Sequence, residues 1–113
     1  MCFPNLQEEW GNPNEEQYYD YMMDYSPMNS VKGGEAYPSM LILAGLFDPR
    51  VAYWEPAKFA ATLRNEVILD SERPICLKTD MTSGHFSASD RYKYITEKAF
   101  EYAFLLHHLG ILK

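Results

Sequence analysis

The sequence predicts an α/β fold in which two short parallel strands are flanked by helices. Its 113 residues are 47% hydrophobic and 15% aromatic, which is the composition of a folded domain and allows at most one small one. A continuous apolar run at residues 40–44 is typical of a strand that is buried on both faces, and residues 75–79 predict a second short strand. The helical segment between them is long enough for the right-handed crossover that joins parallel strands.

In the N-terminal third of the chain, the sequence predicts one helix. Residues 1–9 have no clear period and are expected to be coil. A helix is predicted over 15–24, because Tyr18, Met22 and Tyr25 recur on one helical face.

The first strand, 40–44, lies between Pro38 and Gly45. After a short loop, Pro56 suits the first turn of a helix that we expect to end near Arg64 or Asn65. The second strand, 75–79, follows a polar loop.

The last helix has the strongest pattern in the chain. Ser87 and Asp90 resemble a capping box at its start, and Gly110 is suited to end it. Apolar residues recur in steps of three and four at Tyr92, Ile95, Ala99, Tyr102, Leu106 and Leu109. This stripe predicts core packing. Because two parallel strands cannot cover their own faces and edges, we expect the chain to be the end of a larger sheet.

Charge and cysteine content exclude several classes of function. The net charge is −6 and no Lys/Arg run is present, so binding to nucleic acid or a membrane surface is not expected. Cys2 and Cys76 form no disulfide framework and indicate reduced thiols in a cytoplasmic protein. No zinc-type spacing and no Gly-rich phosphate loop occur, so neither a metal nor a cofactor is expected.

Two residues that could carry chemistry follow the two predicted strands. Asp48 lies just past the first strand and His85 just past the second, and the carboxyl ends of strands are where open α/β sheets place their sites. A carboxylate can orient an imidazole that serves a nucleophile, as in α/β-hydrolases, whose chain order is Ser, Asp, His. Gly84 would let the backbone pass close to such a site. Asp48 is equally suited to a turn before Pro49, and His85 to an exposed loop.

A serine nucleophile is not found in this sequence. No Gly-x-Ser-x-Gly motif is present, and Ser83, Ser87 and Ser89 are not on a predicted strand-to-helix elbow. If the protein is a hydrolase, its serine is expected upstream of residue 1 or on another chain. His107 and His108, in the last helical turn, suit the helix dipole and are expected to be structural.

Longer stretches resemble a known family. They are Glu8-Glu9-Trp10-Gly11-Asn12-Pro13, Tyr25-Ser26-Pro27, Tyr37-Pro38, Asp48-Pro49-Arg50-Val51-Ala52-Tyr53-Trp54-Glu55-Pro56-Ala57-Lys58, Leu77-Lys78-Thr79-Asp80-Met81, Ser83-Gly84-His85 and residues 97–106. With these motifs the chain resembles the C-terminal part of the prolyl oligopeptidase family of serine peptidases, most closely its oligopeptidase B branch. The resemblance covers nearly the whole chain.

The resemblance implies a C-terminal portion, residues 1–113, of a peptidase α/β-hydrolase catalytic domain. The expected partners are short peptides, cleaved after basic residues, and an upstream remainder of the catalytic domain with a β-propeller. By matching position, Asp48 and His85 would be the triad acid and base, and Arg50 would bind a substrate carbonyl. The sequence departs from the branch at Leu6 and Gln7, where a glutamate and a tryptophan are usual.

The alternative is a catalytically inactive product: a truncated remnant, or a pseudoenzyme that binds peptides. In either case the 113 residues alone are expected to lack peptidase activity, because an acid–base pair without a nucleophile cannot transfer an acyl group.

Overall fold

The computed structural model describes residues 4–68, 70–84 and 91–111. Its elements, in chain order, are α1 (Pro4–Trp10), α2 (Glu16–Tyr25), β1 (Met40–Gly45), α3 (Trp54–Glu66), β2 (Ile75–Asp80) and α4 (Arg91–His108). None of the described helices has both the length and the apolarity needed to cross a membrane. Residues 1–31 and 32–113 form two compact units.

β1 and β2 pair in parallel, as the strand–helix–strand order predicted. The register sets Met40 opposite Ile75 at one end and Gly45 opposite Asp80 at the other. Each strand is one residue longer than predicted. The α/β class with two parallel strands and flanking helices is therefore confirmed.

α3 forms the crossover between the strands and contacts both of them. It begins at Trp54, two residues before the predicted start at Pro56, and it ends at Glu66. Four apolar residues are buried among those that the structure describes: Ala60, Leu63, Val67 and Ile75. Leu63 has no exposed surface and is the centre of this small core.

Arg64 of α3 connects the helix to the first residue of β2. Its Nε and Nη2 atoms both donate to the backbone oxygen of Ile75, at 3.0 and 2.7 Å. The preceding carbonyl, that of Pro74, accepts instead from the backbone N–H of Met40 at the start of β1, at 2.9 Å.

Gly110 ends α4, as predicted. It has a φ of 72°, the left-handed conformation that glycine adopts without strain. The N–H of Ile111 donates to the carbonyl of Leu106 and that of Gly110 to the carbonyl of His107, which is a Schellman motif. The predicted capping box, Ser87 with Asp90, lies outside the described residues.

The prediction that the apolar stripe of α4 packs in the core is wrong for this chain. Tyr92 is 80% exposed and Leu109 70%, and no residue of the helix is buried. The side of α4 nearer the sheet instead carries charge, since Lys93 pairs with Asp80 at the end of β2. Periodicity identified the apolar face correctly but could not tell what covers it.

In the N-terminal unit, α2 confirms the predicted helix with a shift of one residue, but its face of Tyr18, Met22 and Tyr25 is not buried. The expectation of coil over 1–9 is wrong, because α1 occupies most of that range. Gly11 follows α1 with a φ of 89°. A Cβ atom there would lie 2.2 Å from Cδ1 of Tyr18, so the aromatic ring leaves no room for any other residue.

Candidate active site

The chain segments that follow β1 and β2 meet at the carboxyl edge of the sheet. The backbone N–H of Leu46 donates to the carbonyl of Asp80 at 2.8 Å. One step further, the N–H of Phe47 donates to the carbonyl of Ser83 at 3.2 Å. The first bond extends the ladder one step past β1, and the second, which is outside the strand register, joins the two loops side by side as the sequence predicted.

Two glycines make this approach possible. A Cβ atom on Gly45 would lie 2.6 Å from the carbonyl oxygen of Gly84 and 2.9 Å from that of Ser83. A Cβ atom on Gly84 would lie 3.3 Å from the carbonyl oxygen of Phe47. The expectation that Gly84 allows a close backbone approach is thus met, and Gly45, predicted only as the end of a strand, is the tighter of the two.

Asp48 sits in the turn after β1 and is half-buried. Its Oδ1 atom accepts the backbone N–H groups of Arg50 at 2.8 Å and Val51 at 2.9 Å. This is the turn chemistry considered above. A carboxylate offers about four acceptor positions, so two backbone donors do not exclude an imidazole as a further donor. The turn fixes where the carboxylate lies, and Asp48 and Gly84 line the same cavity.

The other two predicted site residues are less well defined. His85 lies outside the described residues, but Gly84, its immediate neighbour in the chain, packs against Phe47 and Pro49 on either side of Asp48. Arg50 is exposed and lies two residues after Asp48, on the same turn.

Asp80, which the sequence analysis did not single out, is the most strongly perturbed acid in the site. Its Oδ1 atom accepts the backbone N–H of Thr82 at 2.8 Å and the Thr82 hydroxyl at 2.9 Å. Its Oδ2 atom is shielded from solvent and pairs with the ammonium group of Lys93. The Lys93 ammonium, then the Ser83 hydroxyl and the Thr82 N–H, hold the pKa of the Asp80 carboxyl far below its usual range.

A cavity of about 350 Å³ opens at this edge of the sheet. Asp48 and Asp80 line it together with Gly84, and α4 contributes Glu97 and Lys98. Carboxylates and ammonium groups thus share one concave surface at the ends of the strands, where α/β proteins place their ligands. Within residues 4–68, 70–84 and 91–111, no three His, Cys, Asp or Glu side chains come together as a possible metal site.

A serine–histidine contact occurs elsewhere, between Ser39 and His108. Ser39 Oγ lies 3.0 Å from His108 Nδ1, and the His108 ring also contacts that of Phe104 at a tilt of 56°, with centroids 4.4 Å apart. Ser39 precedes β1, so it lies at the amino edge of the sheet, about 20 Å at ~3.3 Å per residue from Gly45, where β1 ends before the turn of Asp48. The contact ties the end of α4 to the start of β1, which agrees with the structural role expected for His108.

Comparison with known proteins establishes the family. Residues 2–112 match the family described as "Prolyl oligopeptidase family". The chain is 54% identical to the chain in a structure titled "Structure of Oligopeptidase B from Leishmania major", with a TM-score of 0.85 over 93% of this chain and 14% of that one. The chain belongs to the prolyl oligopeptidase family, and its α/β fold is that of the α/β-hydrolase catalytic domain.

Curated relatives agree with this assignment. The chain is 42% identical to dipeptidyl aminopeptidase BI of Pseudoxanthomonas mexicana over 95% of its length, and 42% identical to protease 2 of Moraxella lacunata over 92%. It spans only 14% and 15% of the length of these two relatives.

Proposed function

We propose that this chain supplies the acid and the base of a serine-type oligopeptidase that hydrolyses short peptides. In this proposal Asp48 is the acid, His85 the base, and Arg50 binds a backbone carbonyl of the substrate. The observation that carries it is the junction of the two loops: the turn that holds Asp48 packs against Gly84, the residue before His85, in a chain of a peptidase family.

The assigned roles follow from the chemistry of the pair. His85 would take the proton of a serine hydroxyl as that oxygen attacks the peptide carbonyl, and it would return the proton to the leaving amine. Asp48 would accept from the other ring nitrogen, which fixes the tautomer and stabilises the imidazolium. The two backbone bonds to Asp48 support this role, because a carboxylate that already has a fixed position loses little entropy when it orients a ring.

The nucleophile is proposed to lie outside the 113 residues. The sequence has no Gly-x-Ser-x-Gly, and the chain spans about one seventh of the length of relatives that are themselves peptidases by name. We further propose that an upstream part of the catalytic domain and a β-propeller complete the enzyme. Residues 1–113 are then its C-terminal portion.

Cleavage after basic residues is the proposed specificity, supported by the 54% identity to the oligopeptidase B chain. The cytoplasmic location predicted from Cys2 and Cys76 stays a prediction. The competing function is that of an inactive remnant or a peptide-binding pseudoenzyme.

The test uses the product of the complete reading frame that contains these residues, beside the 113-residue chain alone. Each is assayed for labelling by a fluorophosphonate and for cleavage of an Arg-containing fluorogenic peptide. We expect both activities in the longer product and neither in the chain alone. A reading frame that starts at Met1, or a longer product that folds but shows no activity, would favour the remnant.

Asp48→Asn separates the catalytic role of Asp48 from its turn role. Asparagine keeps an oxygen for the N–H groups of Arg50 and Val51, but it cannot hold the imidazole in the required tautomer. We expect kcat to fall by about 10³–10⁴-fold with little change in the free energy of unfolding, by analogy with the corresponding change in a well-studied serine protease. His85→Ala should lose activity to a similar degree, whereas His107→Ala, on the exposed end of α4, serves as the matched control.

A near-normal kcat in Asp48→Asn would show that Asp48 serves only to form the turn and has no catalytic role. Arg50→Ala is expected to raise KM more than it lowers kcat, because it removes a contact to the part of the substrate that does not react.

A further inference from the structure

We propose that Asp80 and Lys93 form a clamp that positions His85 by fixing the chain on both sides of it. The inference rests on the proposed peptidase function, since it concerns the base of the same site. In sequence, His85 lies five residues after Asp80 and eight before Lys93. The clamp therefore acts on the two ends of a short segment that contains the base.

The first end is held by the Asp80 carboxylate. Its Oδ1 atom accepts both donors of Thr82, the backbone N–H at 2.8 Å and the hydroxyl at 2.9 Å. These bonds fix the path of the chain directly after β2. The Asp80 side chain is only 16% exposed and its Oδ2 atom has no contact with solvent. Loss of these interactions would therefore be costly, because water could not readily take the place of the lost partners.

The second end is held by Lys93, in the first turn of α4. Its ammonium group pairs with Oδ2 of Asp80 and donates to the hydroxyl of Thr82. The Thr82 hydroxyl can satisfy both partners, because it donates its one proton to Asp80 and accepts from Lys93. Three side chains thus join the end of β2 to the start of α4, the two elements that precede and follow His85 in the sequence.

The clamp also reaches the turn of the proposed acid. The backbone carbonyl of Asp80 accepts the N–H of Leu46 at 2.8 Å, two residues before Asp48. Asp80 is therefore bonded to both loops of the site: to the acid's loop through its main chain, and to the base's loop through its side chain. Its proposed role is to set the distance between acid and base, and it need not touch substrate to do so.

Positioning has a measurable signature. A displacement of about 1 Å at a reacting group can lower a rate by about 10²-fold, while substrate binding elsewhere in the site is unaffected. Loss of the clamp should therefore lower kcat and leave KM nearly unchanged. A merely structural role would lower the amount of folded enzyme without changing kcat per active site.

The experiment compares Lys93→Ala, Lys93→Arg and a control in the complete reading-frame product. The control is Arg73→Ala, which breaks a similar ion pair, Arg73 with Asp70 at 2.9 Å, before the opposite end of β2. Measured are kcat and KM for the Arg-containing peptide, with active sites counted by fluorophosphonate titration, and the midpoint of thermal unfolding. We expect Lys93→Ala to lower kcat about 10–100-fold with KM within about threefold, Lys93→Arg to restore most of it, and the control to retain wild-type kcat.

A double-mutant cycle tests whether the two residues act as one device. Asp80→Asn keeps an acceptor for Thr82 but loses the charge that Lys93 pairs with. If the clamp is real, combining Asp80→Asn with Lys93→Ala lowers kcat no further than the worse single change does. Losses that multiply would overturn the clamp as a unit.

The outcomes separate this inference from the function on which it rests. An active wild-type enzyme whose kcat is unchanged by Lys93→Ala overturns the positioning role and leaves the peptidase function standing. A folded but inactive wild-type protein overturns the peptidase function, and the positioning role with it. In that case the clamp is tested by amide hydrogen exchange at Leu46 and Thr82, both of which are bonded to Asp80. If Lys93→Ala accelerates this exchange no more than Arg73→Ala does, the clamp is overturned.

Discussion

Replacing Gly45 with alanine places a methyl group where the two loops of the site meet. Its Cβ would lie 2.6 Å from the carbonyl oxygen of Gly84 and 2.9 Å from that of Ser83. To reach ordinary contact at 3.4 Å, the nearer carbonyl must retreat by about 0.8 Å. Both obstacles are backbone atoms, so no side chain can rotate away and the loop that leads to His85 has to move as a whole.

The expected cost has two parts. Overpacking of this kind destabilises a fold by about 1–3 kcal/mol. A shift of nearly 1 Å at the base's loop should also lower kcat by up to about 10²-fold, if the loop carries the catalytic histidine. Both quantities are measured on the complete reading-frame product. The free energy of unfolding comes from denaturant titration, and kcat comes from cleavage of the Arg-containing peptide.

Two other glycines provide matched controls. In Gly84→Ala the nearest atom is 3.3 Å away, so a shift of only about 0.1 Å is needed and the effect should be small. Gly34→Ala meets nothing within 4 Å, but its φ of 73° strains an alanine, so it should lose stability and keep its kcat. The reasoning is refuted if Gly45→Ala changes kcat and stability no more than Gly84→Ala does.

Three further predictions concern the chain as a whole. Leu63→Ala, at the one fully buried large side chain described, should lower the free energy of unfolding of the complete reading-frame product by about 2–5 kcal/mol, as measured by denaturant titration; a loss below 1 kcal/mol would contradict its place in the core. Because the pKa of Asp80 is depressed below its ordinary 3.8, its stabilisation is complete above about pH 5 and is lost as the pH falls; the unfolding midpoint of Asp80→Asn should therefore vary less with acid than that of the wild type, and parallel curves would argue otherwise. The 113 residues expressed alone should aggregate or bind a hydrophobic dye, since twenty large apolar or aromatic side chains of the described residues are exposed; a monodisperse monomer with a cooperative melt and no dye binding would reject this.

The strands were predictable from the sequence because their signal is local. A continuous apolar run between breakers, such as 40–44 between Pro38 and Gly45, leaves few alternatives to a buried strand. The helix α1 was missed because seven residues are too few to show a period. Pro4 at its first position, where proline is favoured, was the available signal.

The charged side of α4 could not be predicted in the same way. Periodicity separates the apolar stripe from Lys93, but it does not show which face turns toward the sheet. That orientation depends on Asp80, thirteen residues earlier, and on the path of the chain between them. Asp80 and Lys93 are ordinary residues in sequence, and only the fold makes them a pair.

The sequence could predict the candidate site residues only as far as it could predict the topology of the strands. Parallel strands bring their carboxyl ends to one edge, so Asp48 and the chain before His85 had to approach one another. How closely they approach depends on Gly45 lacking a side chain, which the sequence alone does not indicate.

The two bonds from Arg64 to Ile75 bear on how the sheet can grow. Successive carbonyls of a strand point to opposite sides, and that of Pro74 points toward β1, so the carbonyl of Ile75 points to the outer side of β2. The Arg64 guanidinium already donates two hydrogen bonds to this carbonyl, and an added strand would have to displace both of them to pair at that point. Arg64 thus protects the beginning of an otherwise open strand edge, and further strands add with less obstruction beside β1.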